Sequence, residues 1–182
     1  MASLFLALTP EEDLDRKLIE LKSKQKEFLI EGIDLNWSKD HQHHITLNYI
    51  GPMEPEQKEE MLEKLDACSF PYKELPIKIT SLSYFPKENG KVVVANIFLS
   101  NQLQKLYDKT EEIVSRIGFG IPLRIYRPHI SLARFKHKSR PFSHFLEINE
   151  PITSSVFSID VYESIFHSGK SSHSLIKSKS FD

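Results

Sequence analysis

The sequence predicts an α+β fold in which the chain runs twice through the same order of elements: a strand, a helix, and a strand that begins with a histidine. Short apolar runs typical of strands alternate with stretches of helical periodicity. Strands and helices mixed in this way favour antiparallel sheets covered by helices on one side. The two halves also have similar spacing, since His44 follows Phe5 by 39 residues and His129 follows Val94 by 35. We therefore expect internal pseudo-symmetry.

Length and composition set limits on this prediction. The 182 residues, with 40% hydrophobic and 27% charged residues, are typical of one soluble globular domain, which we place at 1–182. A net charge of −1 argues against a protein whose whole surface binds nucleic acid or membrane. The single cysteine, Cys68, fits a reducing compartment. The apolar start of the chain ends at Leu8 and has no basic residue, so we expect no signal peptide and a cytoplasmic location.

The first half begins with a continuous apolar run from Ser3 to Leu8, which predicts a buried strand. Thr9-Pro10-Glu11-Glu12 then predicts a helix start, with a hydroxyl at the N-cap, proline at N1 and glutamate at N3. The helix continues with leucines at helical spacing and Phe28. The elements predicted next are an apolar piece from Ile33 to Trp37, a strand from about His44 to Ile50 that stops at Gly51-Pro52, and a helix from Pro55 to Leu65.

The second half contains a strand from Lys91 to Leu99 and a helix that begins after Ser100 as N-cap and ends at Gly118. A strand from about His129 to Phe135 follows. Further strands are predicted at 77–84, 156–164 and 174–181, and the serine-rich segment 168–174 predicts a turn or mobile loop.

Two histidines stand in the same local pattern of histidine, apolar, hydroxyl, apolar: His44-Ile45-Thr46-Leu47 and His129-Ile130-Ser131-Leu132. Because side chains alternate along a strand, each pattern displays one imidazole and one hydroxyl on the same face. The alternative is that both are ordinary strand histidines that face solvent. A local positive charge favours a phosphate site, since the segment from Gly118 to Leu146 has six basic residues (Arg124, Arg127, Arg134, Lys136, Lys138 and Arg140) and no acid.

Two imidazoles and two hydroxyls in one cleft suit hydrolysis of a phosphodiester without a metal ion or cofactor. One neutral histidine takes a proton from water and one protonated histidine gives a proton to the leaving oxygen. Thr46 and Ser131 would donate hydrogen bonds to phosphate oxygens, and Arg134 would offset their charge. The histidines of DHQHH also allow a metal site. We do not favour it, because alternation places His41 and His43 opposite His44, with no cysteine or acid at ligand spacing.

The segments HHITLNYIG and YRPHISLARF resemble the paired motifs of the two-histidine (2H) phosphoesterases. They are most similar to those of the bacterial RNA 2′,3′-cyclic phosphodiesterases, historically called 2′-5′ RNA ligases. PHISLAR is the most specific stretch, and FLAL, SYFPKENGKVVVAN and VYESIFHSG extend the likeness over nearly the whole chain. The resemblance implies a bilobal fold, a pseudo-symmetric duplication of βα units with antiparallel sheets around a central cleft.

The same resemblance implies residue roles. His44 would be the proton donor to the leaving oxygen and His129 the proton acceptor from water. Thr46, Ser131 and Arg134 would bind the phosphate. Asn48-Tyr49 departs from the family pattern, and His173 stands where the family often has tyrosine. Phe85 or Tyr84 would stack a nucleobase, with core packing as the alternative for both.

The function predicted from these roles is hydrolysis of RNA 2′,3′-cyclic phosphate ends to 2′-phosphomonoesters. The partner would be such an RNA end or a small nucleotide, with no membrane, and we expect a monomer. Two alternatives stay open. The same site would act on 2′-5′ oligoadenylate or a small cyclic nucleotide, or the chain would be an RNA-end binding module without turnover.

Overall fold

The computed structural model describes residues 3–27, 34–86, 90–119, 125–136, 145–167 and 170–182. Some positions used above lie outside these ranges, namely Phe28, Ile33, Arg124, Lys138 and Arg140. Within the described ranges the chain forms nine strands and three helices. They are β1 (Ser3–Leu8), α1 (Glu12–Glu27), β2 (Leu35–Trp37), β3 (Ile45–Pro52), α2 (Pro55–Ala67), β4 (Leu75–Phe85), β5 (Val92–Ile97), α3 (Asn101–Arg116), β6 (His129–Phe135), β7 (Ile152–Val156), β8 (Ser158–His167) and β9 (Lys170–Ser180).

The strands form one antiparallel sheet whose order is symmetric about its centre. Read across the sheet, the order is β7-β4-β5-β6-β3-β1-β8-β9, and the short β2 pairs with β6. The two strands that begin at or just after a motif histidine, β3 and β6, are central neighbours. Outward from them, β1 corresponds to β5 and β8 to β4. The predicted pseudo-symmetry is therefore confirmed in the topology, as is the antiparallel α+β class.

Helices cover one face of this sheet. A single hydrophobic cluster contains Leu14 and Leu18 of α1, Met61 of α2 and Leu103 of α3 together with the inward residues of the strands. Ile45 of β3 belongs to this cluster and is fully buried. Since side chains alternate along a strand, the neighbours of Ile45 in sequence point to the opposite face of the sheet. None of the described helices is long and apolar enough to span a membrane.

Local sequence signals account for two of the three helix starts. The Ser100 hydroxyl accepts a hydrogen bond from the Leu103 backbone N–H at 3.2 Å, which confirms Ser100 as the N-cap of α3. Helix α2 begins at Pro55, as predicted, with Glu54 at its N-cap and Gln57 closing a capping box. Gly118 ends the α3 region with φ of 87°, a conformation that glycine adopts without strain.

The prediction for the start of α1 was wrong. The helix begins at Glu12 rather than after Thr9. The Thr9 hydroxyl donates instead to Asp160 and lies 2.8 Å from the Tyr162 hydroxyl, so it joins β1 to β8. A tertiary hydrogen bond has thus replaced the local cap.

Two further boundaries and one argument about side-chain orientation differ from the sequence predictions. The predicted strand 156–164 is two strands, β7 and β8, which pair with opposite ends of the sheet. Most of the predicted turn 168–174 belongs to β9, because β9 begins at Lys170 and pairs with β8 along its length; residues 168 and 169 lie outside the described ranges. The alternation argument for His41 and His43 was also wrong, since both precede β3, and His41 has a left-handed φ of 61°.

Candidate functional site

The two motif strands meet at one register pair, Ile45 of β3 with Ile130 of β6. Both isoleucines are fully buried on the helix-covered face. In an antiparallel pair this register sets His44 across from Ser131 and Thr46 across from His129, all on the opposite face. The four side chains thus form one cluster in which each imidazole has a hydroxyl from the other motif as its cross-strand neighbour.

A β-bulge in each motif strand changes which residues share this face. Against β1, the register steps from Thr46 to Asn48, and against β5 it steps from Ser131 to Ala133. Leu47 and Asn48 are therefore both buried, and so are Leu132 and Ala133. The extra residue reverses the alternation beyond it. As a result Tyr49 and Arg134, each five residues after its histidine, face the cluster.

Each motif histidine is oriented by a backbone carbonyl two residues earlier. His44 Nδ1 lies 3.1 Å from the Gln42 carbonyl oxygen, and His129 Nδ1 lies 2.8 Å from that of Arg127. A carbonyl oxygen only accepts, so both Nδ1 atoms carry the hydrogen. In the neutral ring Nε2 then holds the free lone pair. The geometry leaves both Nε2 atoms as the proton-accepting or proton-donating atoms of the pair.

Aromatic rings hold the two imidazoles from the side. Phe5 lies against His44, with ring centroids 5.1 Å apart, and stacks on Tyr162 at 5.2 Å. Phe85 stacks on His129 with centroids 4.0 Å apart, and the Arg127 guanidinium lies 5.6 Å from the Phe85 ring. These contacts restrict the rotation of both histidines. They also occupy one face of Phe85, the residue that the sequence predicted to stack a nucleobase.

Burial makes both imidazoles poor bases before any substrate is bound. It lowers the pKa of His44 to about 4, although the hydrogen bond that His44 donates to the Gln42 carbonyl opposes this effect, and nearby His173 lowers the pKa further. Burial also lowers the pKa of His129, an effect that its bond to Arg127 opposes in part. At neutral pH both rings are uncharged in the free protein, and a bound phosphate would favour their protonated forms.

A cavity of about 560 Å³ opens in front of His44. This volume lies within the range of small-molecule sites. The residues that line it lie on or next to β1, β2, β3, β5, β6, β8 and β9, and they are Ser3, Asn36, Trp37, Ser38, His44, Tyr49, Val92, Ser131, Ala133, Arg134, Ser164 and His173. Thr46 and His129 are not among the lining residues and lie beside the cavity, across the strand pair.

The side chains that were predicted to bind the phosphate have polar groups available to a bound molecule. Among the described residues, the hydroxyls of Thr46 and Ser131 and the guanidinium of Arg134 have no side-chain hydrogen-bond or ion-pair partner. Ser131 and Arg134 are exposed and Thr46 is half-buried. The backbone of Thr46 is held from the other motif, since the Tyr126 hydroxyl donates to its carbonyl at 3.1 Å. The structure thus gathers His44, Ser131 and Arg134 at the cavity, with Thr46 and His129 at its edge.

The sequence missed three cavity residues. Trp37 and Tyr49 supply aromatic surface, and Tyr49 is 67% exposed. His173 of β9 places a third imidazole in the wall, edge-on to His44 with centroids 5.5 Å apart. Tyr49 is an odd number of residues from His44, so simple strand alternation would place it on the opposite face. The bulge that brings it to the same face is not visible in the sequence. Tyr84, the other predicted stacking residue, is buried against Phe135 and Phe145, which leaves it in the core.

The histidines before β3 have an acid partner that spacing did not reveal. Asp15 of α1 contacts the Nδ1 atoms of His41 and His43. The sequence argument considered only acids at ligand spacing along the chain, and it did not reveal this contact with a distant helix. Within the part of the chain that the structure describes, no group of three His, Cys, Asp or Glu side chains is arranged to hold a metal ion.

The comparisons of this chain with known proteins all find similarity to phosphoesterases. The model of the LigT-like phosphoesterases matches residues 8–94. The RNA 2′,3′-cyclic phosphodiesterase of Methanocaldococcus jannaschii is 29% identical over 133 residues, which are 73% of this chain and 71% of that protein. The protein of the same name from Thermotoga maritima is 22% identical over 88% of this chain and 85% of its own length. That of Aeropyrum pernix is 28% identical over 58% of this chain, and the match spans only 60% of the relative.

Solved structures show the same fold. E. coli LigT complexed with 3′-AMP superposes with a TM-score of 0.80 at 16% identity, over 99% of this chain and 98% of that one. A Thermus thermophilus protein superposes with a TM-score of 0.82 at 20% identity, over 98% and 97% of the two chains. At these identities the likeness establishes the bilobal architecture around the motif strands.

Proposed function

We propose that this chain, which is similar to the LigT-like phosphoesterases, is a metal-independent phosphodiesterase that opens the 2′,3′-cyclic phosphate ends of RNA to 2′-phosphomonoesters. The observation that carries the proposal is the paired orientation of His44 and His129. Each imidazole donates its Nδ1 hydrogen to a carbonyl, and the register of the β3–β6 pair sets each opposite the hydroxyl-bearing residue of the other motif.

In the proposed reaction a water molecule attacks phosphorus while the bond to O3′ breaks. His129 Nε2 accepts the proton that the water loses. His44, protonated at Nε2, donates a proton to O3′ as it leaves, so the products are a 2′-phosphate and a 3′-hydroxyl. His129 gains one proton and His44 loses one, so the two histidines together hold the same number of protons before and after the reaction, as general acid–base catalysis requires.

The phosphate would be held by three groups that have no side-chain partner among the residues that the structure describes. Thr46 and Ser131 donate hydrogen bonds to its non-bridging oxygens, and Arg134 balances their charge, most strongly in the transition state. The arrival of a phosphodiester anion also raises the pKa of His44 from its low value in the free site, because a negative charge stabilises the imidazolium. Substrate binding would thus supply the protonated acid.

Three further facts support an RNA or nucleotide substrate. The curated relatives are named RNA 2′,3′-cyclic phosphodiesterases, and the E. coli neighbour is complexed with 3′-AMP. The cavity of about 560 Å³ has space for a nucleotide and two aromatic side chains in its lining. We also propose that the protein acts as a cytoplasmic monomer, in keeping with the free thiol of Cys68.

The test is to incubate the purified protein, in the presence of EDTA, with a short RNA that ends in a 2′,3′-cyclic phosphate. Phosphorus NMR would identify the product. We expect a 2′-phosphate, and we expect His44→Ala and His129→Ala each to abolish its formation while circular dichroism shows an unchanged fold.

Competition separates the proposal from its alternatives. A 2′-5′-linked dinucleotide that is cleaved faster than the cyclic end would transfer the proposal to that substrate. An RNA end that binds tightly but is never converted by the wild-type protein would identify a binding module and refute the enzymatic function.

A further inference from the structure

A buried carboxylate of α1 holds the loop that leads into the first motif. Asp15 is 6% exposed, and its two oxygens contact two different residues of the loop. Oδ1 lies 2.5 Å from His43 Nδ1. Oδ2 accepts the backbone N–H of His41 at 3.1 Å and lies 2.9 Å from His41 Nδ1. The carboxylate thus contacts both residues that flank Gln42.

Gln42 is the residue whose carbonyl orients His44. Its position depends on a turn that the backbone does not favour, since His41 has a φ of 61°, in the left-handed region. Outside glycine such a conformation is held by surrounding contacts. The bond from the His41 N–H to Asp15 provides one of these contacts, so the carboxylate stabilises the turn that presents the Gln42 carbonyl.

Helix α1 also holds the other end of this loop. Lys22 is 3% exposed, and its Nζ donates to the Ser38 carbonyl at 3.0 Å and to Asp40 at 2.6 Å. Asp15 and Lys22 lie two helical turns apart and therefore share one face of the helix. This polar face adjoins the apolar stripe of α1 and fixes the loop from Ser38 to His43 against the helix.

His43 joins Asp15 as a neutral donor. Burial lowers the pKa of His43, and the bond to Asp15 opposes that effect in part. Among the described residues its Nε2 is buried without a hydrogen-bond partner, a position that suits a lone pair better than an N–H. The ring therefore donates Nδ1–H to the carboxylate, and removal of the carboxylate would leave a buried donor without an acceptor.

Among the described residues, no carboxylate takes this part at the second motif, which uses different contacts. The carbonyl that orients His129 belongs to Arg127, whose guanidinium donates to the Pro86 carbonyl at 2.6 Å. Pro128 follows and restricts the backbone between Arg127 and His129. The pseudo-symmetric histidines are thus oriented by the same kind of bond, but the bond is supported by proline and arginine in one half and by Asp15 in the other.

We propose that Asp15 is a positioning residue for His44. Through His41 and His43 it fixes the Gln42 carbonyl, which selects the Nδ1–H form of His44 and directs Nε2 toward the substrate phosphate. The inference rests on the proposed function for its effect on turnover, but its effect on the tautomer of His44 is independent of any substrate.

The test compares Asp15→Asn with Asp13→Asn. Asp13 lies on the same helix but is exposed and pairs with Arg16 and Lys17 at the surface. For the RNA with a cyclic phosphate end, Asp15→Asn should lower kcat by about 10- to 100-fold, as expected for a misplaced catalytic group. KM should change little. Nitrogen-15 NMR of histidine-labelled protein should show His44 as the Nδ1–H tautomer in the wild type and a mixture of tautomers in Asp15→Asn.

A double variant, Asp15→Leu with His43→Leu, distinguishes positioning from stability. Replacement of a buried polar pair by apolar side chains should retain a stable fold, so its melting temperature should approach that of the wild type. Its kcat should stay low, because the His41 N–H and the Gln42 carbonyl have lost their anchor.

Two results would overturn the inference: an unchanged His44 tautomer in Asp15→Asn, or wild-type kcat in the double variant. Should Asp15→Asn fail to fold, the double variant decides. If the wild-type protein does not convert the RNA, the proposed function fails, and the NMR comparison still decides the role of Asp15.

Discussion

Ile45 and Ile130 are register partners at the junction of the two halves of the sheet. Neither has a polar atom beyond its backbone, yet this pair determines how the proposed site is assembled. A shift of one residue between the strands would turn the histidine and the hydroxyl of one motif into the core and separate them from those of the other motif. The geometry of the histidine cluster therefore depends on the fit of two buried aliphatic side chains.

Truncation of Ile130 should affect activity beyond its effect on stability. Ile130→Ala should lower the free energy of unfolding by about 2–5 kcal/mol, as is typical for a buried isoleucine. It should also lower kcat at temperatures where the variant stays folded, because β3 and β6 would no longer be held in a fixed position relative to each other. Ile77→Ala is the matched control, since Ile77 is 1% exposed on β4, away from the junction. Denaturant unfolding and single-turnover kinetics measure both effects, and equal kcat values in the two variants would contradict the prediction.

The dependence of kcat/KM on pH should be bell-shaped and displaced to acid pH. The productive free protein has His44 protonated and His129 neutral. Burial lowers the pKa of His44 to about 4 and that of His129 below its usual 6.5. Because both pKa values lie below 6.5, both limbs of the bell should lie below that pH, and kcat/KM should decline throughout the range above it. Initial rates at low substrate concentration measure the profile, and a flat kcat/KM from about pH 5 to about pH 8 would rule out this assignment.

Arg134 should contribute a charge-assisted hydrogen bond to the phosphate. Arg134→Gln should reduce kcat/KM by about 10- to 150-fold, which corresponds to about 1.5–3 kcal/mol for such a bond. Arg116→Gln removes the same charge from the exposed end of α3, where Arg116 pairs with Glu112, and should have little effect. Steady-state kinetics at fixed ionic strength separate the two, and equal losses would indicate a long-range field rather than a contact.

Tyr49 is the aromatic residue that we now expect to contact the nucleobase. It lines the cavity and is 67% exposed, whereas one face of Phe85 is covered by His129. Tyr49→Ala should raise KM by about 5- to 150-fold for an RNA end, from the usual energy of stacking, and leave KM for an abasic ribose cyclic phosphate unchanged.

Phe85→Leu is the comparison for this prediction. Because Phe85 packs on a histidine, its loss should appear mainly in kcat. If KM for the RNA end, but not for the abasic compound, rises in Phe85→Leu and not in Tyr49→Ala, the sequence prediction for Phe85 is correct. The expectation for Tyr49 is then wrong.

Much of the fold was readable from local patterns. The run from Ser3 to Leu8, the cap at Ser100 and the strand from His129 to Phe135 were predicted at or near their observed bounds because each is determined by neighbours in sequence. Thr9 was misread because its hydroxyl has a stronger partner 151 residues away. The predicted loop after residue 167 was misread because serines, which favour turns, are tolerated in an edge strand such as β9 when its partner is fully paired.

The site was predictable to the extent that its residues alternate. His44, Thr46, His129 and Ser131 follow strict strand periodicity, and their common face is found in the structure. Arg134 was predicted from the positive charge of its segment and from the family resemblance, but not from alternation, because the bulge that turns it to the same face has no sequence signature of its own. Asp15 was overlooked as one acid among many on an amphipathic helix, and only tertiary packing reveals which of them is buried.

The order of strands in the sheet has a consequence for synthesis of the protein on the ribosome. The half that carries His129 is built from strands that follow one another, β4 to β7, and can pair as they emerge. The half that carries His44 needs β8 and β9, which are translated after every other strand, to reach back to β1. Until then Phe5 lacks Tyr162 and His44 lacks His173. A nascent chain therefore acquires its proposed base early and the surroundings of its proposed acid only at the end, so a prematurely terminated product would be inert rather than partly active.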